Sequence, residues 1–131
     1  MLKKSILAAL AVFMVWSALD FVIHGLILKS TYEATAQLWR PMTEMKMGVM
    51  HVAVLIAAVA FVSLYARLVA KRGVGTGLQY GLWFGLATGV SMGYGTYSVM
   101  PIPYHMALTW FLGSLVQGAV GGAITGGIVR D

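Results

Sequence analysis

Apolar residues come in four long blocks along this chain, separated by short breaks that carry its charges and prolines. A block of about 20 such residues, wound as an α-helix, matches the hydrocarbon thickness of a bilayer. The pattern predicts four spans, at 5–28, 48–66, 77–99 and 106–129, within a single domain covering 1–131. The expected fold is all-α, an integral membrane four-helix bundle. The first block opens on Lys3 and Lys4, as a secretory signal does. Its apolar run is too long for one, and no small-x-small cleavage site follows it, so it reads as a retained helix.

A second pattern lies inside the blocks. Gly77, Gly81, Gly85, Gly89 and Gly93 recur every fourth residue down the third span, and Ser114, Gly118, Gly122 and Gly126 do the same in the fourth. In water each glycine weakens a helix by up to about 1 kcal/mol relative to alanine. In lipid a row at i, i+4 lies on one helix face and opens a groove into which another backbone can press. These nine positions are therefore expected to pack helix on helix. Gly113, Gly121 and Gly127 lie off the main row of the fourth span. That surplus of small faces predicts a second neighbour, within a homo-oligomer or a larger membrane assembly.

The breaks add detail. Pro101 and Pro103 force a tight, extended turn that sets the last two spans side by side. The break between the first two spans is long. There Ser30 followed by Glu33 forms a capping-box pattern, and Tyr32, Ala36 and Trp39 could line one face of a short interfacial helix ending before Pro41.

Composition and charge sharpen this picture. The chain is 60% hydrophobic and 10% charged, with mean hydropathy +0.84, which excludes an ordinary water-soluble domain. A net charge of +5 would suggest nucleic acid in a soluble protein. Here the cations sit at span ends and report orientation, so no nucleic-acid partner is expected. Lys3, Lys4, Arg67, Lys71, Arg72 and Arg130 fall on one side, and Lys29, Arg40 and Lys46 on the other. This bias predicts both termini in the cytoplasm, most simply in a bacterial inner membrane, with lipid and other transmembrane helices as partners. With no cysteine there is no disulfide, no thiolate metal site and no Cys nucleophile. No GK[ST] loop, HExxH or dinucleotide fingerprint occurs, and a non-enzymatic protein is expected.

The remaining candidates for chemistry lie on the outer side of the membrane. Asp20 is the one acid well inside a span, about 12 Å below its outer end at 1.5 Å per residue. A charged Asp near a helix centre costs about 2.5–3.5 kcal/mol on insertion scales, so it should face protein and find a partner. His24 follows four residues later on the same face, with Trp16 and Ser17 one turn below. His51, His105, Met50 and most other methionines fall in the same half. Imidazole with thioether suits copper, Asp with imidazoles suits zinc, and His24 with His51 could ligate a haem iron. Gln117, inside the fourth span, could bond across helices.

Two functional readings follow. The first is a membrane protein that acts through helix packing, as a homo-oligomer or an accessory subunit of a larger complex. The alternative is a transporter or binding protein for protons, a metal ion or a small cation, working through Asp20, His24, His51, His105 and Met50.

Overall fold

The computed structural model describes all 131 residues, and every regular element is helical. Helix α1 (Leu2–Asp20) passes directly into a π-helical segment, Phe21–Ile27. A short α2 (Lys29–Ala34) follows, then two 3₁₀ turns at Ala36–Leu38 and Met42–Glu44. Helix α3 (Met47–Leu68) runs back the other way. The next helical run is α4 (Val74–Gly89), a π-helical segment Val90–Tyr94 and α5 (Gly95–Val99), joined without a break. Helix α6 (Tyr104–Ile128) completes the chain. Three helices, Leu2–Ile27, Met47–Leu68 and Tyr104–Ile128, are long and apolar enough to cross a membrane.

The tightest packing joins α4 to α6. Gly77, Gly81, Gly85, Gly89 and Gly93 are all buried, although residues between them, such as Leu82, Trp83 and Leu86, are exposed. A Cβ on Gly81 would run into the carbonyl oxygen of Gly118, and one on Gly122 into that of Gly77. At the upper end of the row, a Cβ on Gly93 would lie 2.7 Å from the Ala107 carbonyl oxygen. Main chain meets main chain along the whole row, where dispersion and weak CH···O contacts provide the attraction that lipid does not.

Of the off-row glycines of α6, Gly127 faces Val74 of α4, whose Cγ2 would lie 3.6 Å from a Cβ there, and the other two receive the first helical run. A Cβ on Gly113 would sit 2.7 Å from Ile23 Cδ1, and one on Gly121 2.7 Å from Trp16 Nε1. The surplus small faces are thus filled by the chain itself. Helix α1 also packs on α3 through a stripe of Ala8, Ala9, Val12 and Trp16 against Ala58, Phe61, Val62 and Tyr65. Between α3 and α4 the contact is aromatic. The Phe61 ring lies 4.9 Å from Phe84 and 4.8 Å from Tyr80, and the Tyr80 hydroxyl donates to the Phe61 carbonyl at 2.6 Å.

The two ends of the molecule differ. At the end holding both termini, the Tyr65 hydroxyl donates to the Gly73 carbonyl (3.0 Å) and accepts from the Gly73 amide (2.9 Å). Arg72 donates to the Ala66 carbonyl at 2.9 Å and to the Asp131 carboxylate at 2.8 Å. The Arg72 backbone amide and guanidinium hold the Asp131 carboxyl below its usual range. At the opposite, loop end α3 stands apart: from Met47 to Ala57 every residue but Val54 is exposed.

One local expectation fails. Ser30 lies inside α2, whose first flanking residue is Leu28, so the Ser30–Glu33 capping box does not form. The short helix does end before Pro41, but already at Ala34 and short of Ala36 and Trp39, because the Thr35 hydroxyl turns back onto the Thr31 carbonyl (2.8 Å) and accepts from the Trp39 indole (2.9 Å). Side-chain bonding of this kind competes with continuation of a helix.

Candidate functional site

Asp20 does not pair with His24. Its Oδ1 accepts a 2.7 Å hydrogen bond from the Gln117 amide of α6. The position of Gln117 follows from the glycine next to it in space. Because Gly121 has no side chain, the Trp16 indole closes onto α6 and donates to the Gln117 carbonyl at 2.7 Å. The Gln117 amide also lies 3.4 Å from the Trp16 carbonyl. Helix α1 is therefore fastened to α6 at two levels one turn apart, Trp16 and Asp20, with Gln117 serving both.

Around this pair is a cavity of about 150 Å³ lined from all four long helical runs. Trp16 and Asp20 come from α1, Val54 and Ala57 from α3, Phe84 and Thr88 from α4, and Ser114, Gln117 and Gly118 from α6. The α3 lining comes from the exposed half of that helix. One turn further toward the termini end, Phe61 packs its ring 5.0 Å from Trp16 and 4.9 Å from Phe84. Tyr80 and Tyr65 continue the stack at 4.8 and 5.3 Å. The cavity thus has an aromatic floor on one side and the exposed half of α3 on the other.

The charge of Asp20 has no counter-ion. The single ion pair in the structure is Arg72–Asp131, at the far end. Oδ2 of Asp20 and Oε1 of Gln117 make no hydrogen bond, and the Thr88 hydroxyl donates to its own helix at 2.9 Å, leaving its oxygen free to accept.

A second polar group lies nearer the loop end. Leu28 is buried and α2 doubles back immediately after it, which brings Tyr32 over α1. The Tyr32 phenol is hydrogen-bonded to His24 Nδ1 (2.7 Å) and accepts from the Trp110 indole (2.9 Å). The phenol oxygen accepts from Trp110 and keeps its own proton free for His24 Nδ1. Burial raises the Tyr32 phenol above its ordinary value; the Trp110 bond opposes this and the Asp20 charge reinforces it. Trp39 completes the cluster, 5.3 Å from Tyr32 and 6.1 Å from Trp110 by ring centres.

The expected histidine group is dispersed. His105 is bonded to the Thr31 hydroxyl at 2.9 Å. His51 and Met50 are exposed on α3, and His51 makes no hydrogen bond. No three His, Asp or Glu side chains converge. The donors for the copper, zinc or haem centre considered from the sequence are thus not gathered in one place. Ser17, expected beside Asp20, keeps a buried hydroxyl with no partner.

The side chains that sequence reasoning missed are Phe84, Thr88 and Ser114 as cavity walls. The signal for Ser114 was present but was read as packing, since serine substitutes for glycine in the row. Comparison with protein-family models, with curated proteins and with solved structures finds no match.

Proposed function

We propose that this is a four-span membrane protein, with both termini in the cytoplasm, that binds a proton or a small cation at Asp20 and exchanges it with the outer side. The observation that carries this reading is the Asp20 carboxyl itself. It faces a cavity inside an apolar bundle with one neutral hydrogen-bond donor and no cation. A bare carboxylate at this depth costs about 2.5–3.5 kcal/mol, a cost removed when the group holds a proton or a cation. A purely structural acid would be expected to have its partner built in.

The fourth span in this reading is the continuous helical run from Val74 to Val99, interrupted only by its π turn. The orientation rests on the six-to-three cation bias. Access from outside rests on the cavity's place beside the loop half of α3, and closure toward the cytoplasm on the Phe61, Tyr80 and Tyr65 stack.

The test is proton release. Purified wild-type protein in unbuffered detergent should release protons when a small cation is added, and Asp20→Asn should not, with both chains keeping the same circular dichroism and melting temperature. Equal release from both chains would overturn the reading, as would an Asp20→Asn variant whose only defect is a lower melting temperature.

The helix-packing reading now rests on a different observation from the glycine rows, which the chain occupies internally. The exposed half of α3, Met47–Ala57, is the surface on which a second chain or a larger complex would dock. The mass of the native assembly, measured after gentle extraction, decides that point.

A further inference from the structure

We infer that the cation taken by Asp20 is a small organic ammonium, held by its N–H groups and by aromatic walls, and not a metal ion. This rests on the reading of Asp20 as a cation-binding group and adds the chemistry and size of what it binds.

Three observations carry it. First, the oxygens left unbonded around the cavity suit a donor with several N–H groups. Asp20 Oδ2 offers a charge, Gln117 Oε1 a neutral acceptor, and the Thr88 oxygen a lone pair after donating to Phe84. The Gln117 amide already donates to Asp20 Oδ1 and so fixes which oxygens remain. An ammonium head carries three N–H groups, as many as these acceptors.

Second, the walls are wrong for a metal ion. No histidine or methionine reaches the cavity, which removes the soft and borderline metals. One carboxylate with the neutral side-chain oxygens of Gln117, Thr88 and Ser114 falls short of the six or more oxygens that a hard divalent ion gathers. The Trp16 and Phe84 rings instead supply what an organic cation uses, a polarisable apolar surface with a negative face.

Third, the size fits. A cavity of about 150 Å³ holds a molecule the size of benzene, on the order of six heavy atoms. That admits an alkyl or aryl amine and is far larger than a bare ion requires.

The experiment is calorimetry on the full chain in lipid nanodiscs, with empty nanodiscs as the blank for partitioning. The probe is n-pentylammonium chloride. Its neutral isostere 1-pentanol, sodium chloride and zinc chloride are compared on the same wild-type protein. The expected result is saturable pentylammonium binding, at least tenfold tighter than pentanol, and at least tenfold weaker in Asp20→Asn. Equal binding of pentanol and pentylammonium would overturn the inference by showing an apolar hole without charge recognition. Binding of zinc or sodium but not pentylammonium would also overturn it, while the proton-release reading stands. No cation binding together with no proton release would remove both. Because the comparison of amine and alcohol uses only wild-type protein, a variant that fails to fold leaves the test intact.

Discussion

Two glycines that look alike in the sequence have opposite roles in the structure. Gly121 is where Trp16 enters α6, and a Cβ there would lie 2.7 Å from Trp16 Nε1 and 3.1 Å from Cε2. Gly95 begins α5 with ordinary helical angles, and a Cβ there meets nothing within 4 Å. Gly121→Ala should push the indole off the Gln117 carbonyl and leave a buried acceptor short of its partner, at a cost of about 1–3 kcal/mol. Gly95→Ala should stabilise by about 0.4–1 kcal/mol, since the alanine restricts the unfolded chain and fits the folded one. Thermal unfolding in detergent would show the two midpoints moving in opposite directions. A fall for both would mean that Gly95 has a contact the structure does not show. A fluorescence change confined to Gly121→Ala would tie its loss to Trp16. The four-residue spacing could not separate these roles, because only the approach of α1 marks Gly121.

The α4–α6 pair shows how much of an element's fate its pattern fixes. The rows at 77–93 and 114–126 name both faces of this contact, and the Pro101–Pro103 turn names which helices make it. What the pattern could not indicate is the π-helical winding of Phe21–Ile27 and Val90–Tyr94. No residue type demands it. One π segment begins directly after Asp20 and the other directly after Gly89, next to the cavity residue Thr88. Asp20 and His24 each take another partner, Gln117 and Tyr32, so the i, i+4 spacing alone does not make them a pair. A close contact between two main chains has no rotamer to adjust. Gly81→Leu should therefore cost about 3 kcal/mol or unfold the hairpin, because its Cβ meets the Gly118 carbonyl. Leu82→Ala, one residue along and exposed, should change stability by no more than about 0.5 kcal/mol. Unfolding both variants by denaturant titration in mixed micelles checks the contrast. Equal stabilities would mean that α4 and α6 are held apart in lipid.

At the scale of the whole molecule, the sequence made the all-helical, apolar character readable, because apolar block length is a property of a line of residues; three of the four blocks form helices long and apolar enough to cross a membrane. The cavity was not readable, since Trp16, Val54, Phe84 and Ser114 meet only after four helical runs pack together. Orientation lies between these cases, for it rests on cations that the fold leaves mostly at the surface. Its consequence can be measured directly, because the chain has no cysteine and any introduced thiol is the sole target for a maleimide. Met42 is exposed in the loop between α2 and α3, and Ala70 is exposed between α3 and α4, beside Lys71 and Arg72. With both termini in the cytoplasm, Met42→Cys should react with a membrane-impermeant maleimide on intact cells, and Ala70→Cys only after the membrane is opened. Cavity access follows the same geometry. Ala57→Cys, on the α3 wall of the cavity, should label from outside, and Ser63→Cys, beyond the Phe61 ring, should not. Labelling of Ala70→Cys on intact cells would invert the molecule, and Asp20 would then exchange its cation with the cytoplasm. Equal labelling of Met42→Cys and Ala70→Cys on intact cells would mean that the chain inserts both ways. Six cations against three, concentrated at Arg67, Lys71 and Arg72 in the short α3–α4 turn, favour the single orientation.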